Sequence, residues 1–135
     1  MKKLWNLAFG YFLAAMAGGV FYREFTKYFD FTGKTTLAYL HVHLLVLGTL
    51  LFLFLGLAAK STDLLEKKQF RTFVTLYNIV LPLFAVVMLC RGIIQTAGIS
   101  LSHAADAAIA GIAGLTHIAL AAVWIFLFTI LRKLK

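Results

Sequence analysis

The chain is poor in charged residues, proline and cysteine. Only 13% of its 135 residues are charged, against about 25% in an average soluble domain, and its single proline and single cysteine are Pro82 and Cys90. One cysteine cannot form an internal disulfide and provides no CxxCH motif, which excludes covalent c-type haem attachment. Because 62% of the residues are hydrophobic and the mean hydropathy is +0.92, the composition predicts an integral membrane protein.

Long apolar runs determine the predicted fold class. Four of them are separated by short polar links, and each is long enough as a helix to cross about 30 Å of hydrocarbon. They cover residues 4–22, 37–59, 72–99 and 107–131, and Asp106 is the expected N-cap of the last. The runs lack the alternation of barrel strands. The sequence therefore predicts an all-α protein of one domain, residues 1–135, folded as an up-down-up-down transmembrane four-helix bundle.

The basic residues indicate topology rather than a nucleic-acid partner. The formal net charge is +8, but the cations flank the apolar runs and form no patch interleaved with aromatic residues. Nine fall on one side of the membrane: Lys2, Lys3, Lys60, Lys67, Lys68, Arg71, Arg132, Lys133 and Lys135. The other side has Arg23, Lys27 and Lys34. For a multi-pass protein of the cell (cytoplasmic) membrane, the positive-inside rule then predicts that both termini lie in the cytoplasm.

Three histidines lie inside the apolar runs, and they are the candidate functional groups. His41 and His43 belong to the second run and His117 to the fourth. An imidazole within lipid requires a hydrogen-bond partner or a metal. Counting a rise of about 1.5 Å per residue places these histidines and Arg91 of the third run in one layer of the outer half. Since His41 and His43 are two residues apart, about 200° around a helix, they face different neighbours.

Histidines on facing helices of a bundle suggest bound haem b. Neutral imidazole ligates iron without bringing a charge into the lipid, so His117 and either His41 or His43 are candidate ligands. Small residues flank His117 and leave room for a flat ring or for another helix. They are Ala110, Ala113, Gly114 and Ala121. Arg91 suits a haem propionate, because its guanidinium can bond a carboxylate through two donors.

Other interpretations of the same residues stay open. Copper or zinc could be bound by His41, His43 and His117, and Arg91 could instead pair with Glu24 or Asp106. The chain could also be a structural or accessory subunit in which histidine hydrogen bonds hold the helix register. No nucleophile with an adjacent base is present, so any catalysis would be redox chemistry through haem.

The expected partners follow from these interpretations. All of them require the lipid bilayer, and haem would add a redox partner. A homodimer could form on a stripe of small residues in the first run, or that stripe could pack within the bundle. The stripe consists of Gly10, Ala14 and Gly18.

Four stretches carry a resemblance to known proteins. They are GVFYREFTK, HVHLLVLG, RGIIQTAGI and AIAGIAGLTHI, and through them the whole chain resembles a family of uncharacterised small four-span bacterial membrane proteins. HVHLLVLG is also similar to the histidine-bearing helix of NnrS-type membrane proteins and, more distantly, of haem-copper oxidase catalytic subunits. This second resemblance implies that His117 and either His41 or His43 are axial haem ligands. Those proteins have many more spans, and the oxidases use further histidines for copper, so oxygen reduction is not implied.

Overall fold

Four long helices make up the protein. The computed structural model describes residues 1–135 and has no strands. The helices are α1 (Lys2–Tyr28), α2 (Leu37–Ala58), α3 (Lys68–Ala97) and α4 (His103–Leu131). All four are long and apolar enough to cross a membrane by length and composition. The predicted all-α membrane bundle is therefore confirmed.

Three helix ends differ from the sequence prediction by four residues or more. α1 continues beyond Tyr22 to Tyr28, so the charged residues after Tyr22 extend the helix. α3 begins at Lys68 rather than at residue 72. α4 begins at His103, because the Ser102 hydroxyl accepts a hydrogen bond from the Ala105 N–H at 3.2 Å. The prediction of Asp106 as N-cap was wrong, since the serine four residues earlier already satisfies a free amide of the first turn.

The two middle helices hold the bundle together. α1 packs along α2, α2 along α3, and α3 along α4, whereas α1 and α4 have no extensive contact. α1 and α2 are antiparallel: a side chain at Gly19, in the C-terminal half of α1, would touch His41 near the start of α2, and one at Gly56, near the end of α2, would touch Trp5 near the start of α1. This order leaves one groove between α1 and α3 and another between α2 and α4.

An aromatic chain crosses the middle of the bundle and links all four helices. Tyr11 of α1 stacks on Phe52 of α2 with ring centroids 5.7 Å apart. Phe52 meets the edge of Tyr77 of α3 at 5.8 Å, and Tyr77 meets Trp124 of α4 at 6.4 Å. Phe52 and Tyr77 are fully buried. These rings form the centre of the apolar core.

Part of α2 is a π-helix, which no sequence pattern indicated. The wide turns run over Leu44–Leu50, where the Leu51 N–H donates to the Val46 carbonyl five residues back. The next carbonyl, that of Leu47, accepts the Tyr77 hydroxyl at 2.8 Å. A side chain at Gly48 would meet Tyr11 Cγ at 2.4 Å. The π segment is therefore where tyrosines from both neighbouring helices reach the α2 backbone, in keeping with the functional or strained settings where such segments occur.

Hydroxyl and amide hydrogen bonds join the start of α2 to the C-terminal end of α3, on the side of the bundle away from the termini. The Thr35 hydroxyl donates to the Gly92 carbonyl at 3.1 Å, and the Thr36 N–H donates to Gln95 Oε1 at 2.8 Å. Thr96 in turn donates to Thr35 Oγ1 at 3.2 Å. Thr35 and Thr96 are both buried. Buried polar groups at this depth need such partners, so the contacts fix the register of α2 against α3.

The link between α2 and α3 is anchored at the opposite end. Leu64 of a short 3₁₀ turn is fully buried in the core. Asp63 accepts hydrogen bonds from the Lys67 ammonium at 2.6 Å and from the Lys135 N–H at 3.3 Å. The hydrogen bond from Lys67 holds the pKa of the Asp63 carboxyl below its ordinary value. The link is thereby tied to the C-terminus of the chain.

The contact of Gly92 with α2 gives a first prediction. The Cβ of an alanine at this position would lie 2.5 Å from Leu37 Cγ and 2.7 Å from the Leu37 backbone nitrogen. Because backbone cannot move aside cheaply, Gly92→Ala is expected to destabilise the protein by about 1–3 kcal/mol. Gly111→Ala is the matched control, since nothing lies within 4 Å of its Cβ position and helical alanine is favoured over glycine by about 1 kcal/mol. Thermal unfolding in mild detergent should rank Gly92→Ala below wild type and Gly111→Ala at or above it. Equal Tm values for the two variants would contradict the close packing.

Candidate histidine site

Two of the three membrane histidines meet on one phenyl ring. Phe84 of α3 is 2% exposed. Its ring centroid lies 5.6 Å from that of His43 on α2 and 4.7 Å from that of His117 on α4. The planes of Phe84 and His117 are nearly perpendicular, at 78°. The structure thus brings imidazoles from the second and fourth spans to the same level of the bundle, with Phe84 packed against both.

Both imidazoles are held in the same way. Nδ1 of His43 lies 2.8 Å from the Tyr39 carbonyl oxygen, and Nδ1 of His117 lies 2.8 Å from the Ala113 carbonyl oxygen. A carbonyl only accepts, so each Nδ1 carries the proton, and in the neutral ring Nε2 keeps its lone pair. Neither Nε2 forms a hydrogen bond with the chain. A ring tied through Nδ1 with Nε2 available is the arrangement that metal-ligating histidines adopt.

Open space lies beside His117 rather than between the two imidazoles. His117 is exposed on α4, as are the small residues Gly114 and Ala110, which lie one and two turns before it. Nothing lies within 4 Å of a Cβ placed at Gly114. Since Phe84 already packs against both imidazoles, the room for a flat ligand is on this uncovered surface of α4.

His41 faces the other side of α2. A side chain at Gly19 of α1 would meet His41 Cγ at 3.6 Å, and the buried His41 Nδ1 has no hydrogen-bond partner. His41 therefore faces α1 while His43 faces α3, which is the divergence expected from their spacing. The structure does not assemble His41, His43 and His117 into one site, and no group of three or more His, Cys, Asp or Glu residues lies close enough to hold a metal ion.

Arg91 is paired with a carboxylate at the end of the bundle away from the termini. Its Nη1 lies 2.5 Å from Asp106 Oδ1, which is one of the two pairings that the sequence allowed. Arg91 follows Phe84 by seven residues, so it lies on the same face of α3 and about 10 Å nearer the C-terminal end of that helix. His103 and Arg91 both border a cleft of about 480 Å³ at this end. The prediction that Arg91 shares one layer with the histidines was therefore wrong, because the guanidinium lies about two helical turns from the level of Phe84.

Phe84 is the residue of this site that sequence reasoning missed. It stands in an apolar run of α3 and has no property that separates it from its neighbours. Its spacing of seven residues from Arg91 was the one available signal, because that spacing puts both on one face of a helix. The contact with two histidines from other helices depends on tertiary packing and became visible only in the structure.

Comparison with known proteins identifies a family and nothing closer. No curated protein and no solved structure matches the chain. The comparisons lend no support to the resemblance to NnrS-type proteins or haem-copper oxidase subunits, whereas one family model matches residues 1–134 and so includes all four spans. This agrees with the resemblance to an uncharacterised small family. The chain belongs to the family described as "Protein of unknown function (DUF2871)".

Proposed function

We propose that His43 and His117 bind haem b in the membrane. The supporting observation is that the two imidazoles share Phe84 as a neighbour while each donates Nδ1–H to its own helix and keeps Nε2 free. When bound, haem supplies one-electron transfer and gas binding at its iron. The protein would then act in electron transfer with a redox partner, in gas sensing or in haem handling.

The surrounding residues have distinct tasks under this proposal. His117 is the first ligand, because its ring is exposed beside the uncovered small residues of α4. His43 would supply the second imidazole only if the Phe84 ring, which packs against both histidines, moved from between them. Arg91 provides a cation for a propionate, and Asp106 holds the guanidinium on the outer part of the α3 face that carries Phe84. The uncovered surface at Gly114 gives a flat macrocycle room to lie against the helix.

A cofactor-free role is the second candidate. It is supported by the packing of Phe84 against both imidazoles and by the hydrogen bond that already satisfies each Nδ1. In that case the histidines are packing groups that align α2, α3 and α4. The protein would then be a structural or accessory membrane subunit. The two candidates predict different effects of replacing a histidine by phenylalanine on the absorption spectrum.

Absorption spectra distinguish the two candidates. Protein purified in mild detergent from haem-replete cells is expected to show a Soret band that shifts on reduction. His117→Phe keeps a ring against Phe84 but has no nitrogen to ligate iron, so it should lose the band while its Tm stays close to that of wild type. His103→Ala is the control, because His103 lies exposed at the start of α4, and it should keep the full band.

A different set of results would favour the scaffold. Wild-type protein that is colourless after purification and gains no Soret band on titration with haem would overturn the haem proposal. His117→Ala should then lower Tm through lost packing, whereas His117→Phe should restore it.

We infer in addition that both termini lie in the cytoplasm. The inference rests on the nine basic residues at the termini and in the link between α2 and α3, against four, Arg23, Lys27, Lys34 and Arg91, toward the opposite ends of the helices. In a Cys90→Ser background, Ser100→Cys should react with a membrane-impermeant maleimide in intact cells, and Ser61→Cys only after lysis. Both serines are exposed in links on opposite sides of the bundle. The reverse labelling pattern would contradict this orientation.

A further inference from the structure

A groove runs between α1 and α3 with α2 as its floor. It consists of two adjoining cavities of about 410 and 540 Å³. Ala14 of α1, Leu44 of α2 and Ala85 of α3 line both of them. The 540 Å³ cavity, which extends from Ala14 toward Phe21, is lined almost entirely by apolar side chains. This groove is separate from the histidine site, which lies between α2 and α4.

On the α1 side, the groove is shallow because the residues that line it there have small side chains. Nothing lies within 4 Å of a Cβ placed at Gly10, and one placed at Gly18 meets only Leu40, at 3.6 Å. The small-residue stripe of α1 thus packs within the bundle at Gly18 and is uncovered at Gly10. No side chain of the protein occupies the space over Gly10, so in a bilayer hydrocarbon must fill it.

Amide groups mark the end of the groove nearest the termini. Asn6 is exposed there and forms no side-chain hydrogen bond. Asn78 accepts the Tyr11 hydroxyl at 2.9 Å and donates one amide hydrogen to the Val74 carbonyl at 2.7 Å. Since a carboxamide carries two N–H donors, Asn78 keeps one and Asn6 keeps both. Unused donors beside hydrocarbon favour a ligand that brings acceptors.

Two unpaired cations continue these lining faces toward the membrane surface. Lys3 precedes Gly10 by seven residues on α1, and Arg71 precedes Asn78 by seven residues on α3, so each lies on the groove-lining face of its helix. Both are exposed and neither is in a salt bridge. From the surface inward, the groove therefore presents cations, then amide donors, then apolar side chains.

We propose that this groove binds one anionic phospholipid from the leaflet on the side of the termini. A phospholipid has the complementary order of groups: an anionic phosphate, ester carbonyls that accept hydrogen bonds, and an acyl chain. The phosphate pairs with Lys3 and Arg71, and the ester carbonyls accept from Asn6 and Asn78. One acyl chain lies over Gly10, where the protein leaves the groove open.

Native mass spectrometry of the detergent-solubilised protein with added lipid tests this site. Phosphatidylglycerol is expected to form a one-to-one adduct, and phosphatidylcholine a weaker one because its head group carries no net negative charge. The double variant Lys3→Gln/Arg71→Gln should bind phosphatidylglycerol about tenfold more weakly or worse, since it removes two charge-assisted contacts. Lys133→Gln, which removes a cation that follows α4 and does not line the groove, is the matched control and should bind as wild type does.

A second pair of variants tests the apolar part of the groove. Gly10→Leu should abolish the adduct by filling the space over α1, whereas Gly111→Leu should keep it, because that glycine is equally open but lies on α4. Equal retention of lipid by Gly10→Leu and Gly111→Leu would exclude the groove as the site. Equal binding of the two lipids would exclude recognition of charge. The same titration on His117→Phe should show unchanged lipid binding, which separates this proposal from the haem proposal.

Discussion

A polar group that a helix carries into hydrocarbon needs a partner inside the protein, because lipid offers none. Most of the polar side chains in these helices use backbone carbonyls as acceptors, and His41 Nδ1 is an exception that has no partner. Tyr77 donates to Leu47, Thr35 to Gly92, and the two site histidines to carbonyls of their own helices. The interhelical bonds set the register of α2 against α3. The intrahelical bonds have a chemical consequence, since they fix the tautomer that leaves Nε2 of each histidine free.

The features that the sequence could predict were those set by a single helix. Four spans follow from hydropathy alone, and the opposite directions of His41 and His43 follow from helical periodicity. Phe84, the π segment and the groove over Gly10 arise from how helices pack on one another, and a single sequence contains no direct record of that packing. The cap of α4 shows the limit even for a local feature, because both Ser102 and Asp106 suit an N-cap and only the structure shows that the serine is used.

The position of Phe84 determines how the histidine pair is to be understood. A haem pair needs two imidazoles at one level, free Nε2 atoms and a gap between the rings; the structure has the first two, and Phe84 occupies the gap. A packing cluster needs rings in van der Waals contact, and Phe84 provides that contact. Binding of haem by both histidines therefore requires Phe84 to move, whereas binding by His117 alone does not. A phenyl ring in place of the His117 imidazole preserves shape and removes only the lone pair, which is why that substitution is more informative than alanine.

The histidine pair and the groove between α1 and α3 owe their separation to the order of the helices. Because α1 and α4 have no extensive contact, α2 and α3 form a wall with the histidine pair on one side and the amide-lined groove on the other. The π segment of α2 lies within that wall, where Tyr11 packs over Gly48 from the α1 side and Tyr77 donates to Leu47 from α3. The histidine pair and the groove between α1 and α3 both depend on the same contact between α2 and α3. The glycine that permits this contact, Gly92, therefore matters to both sites although it borders neither, and a larger residue there should disturb lipid binding and the histidine pair together.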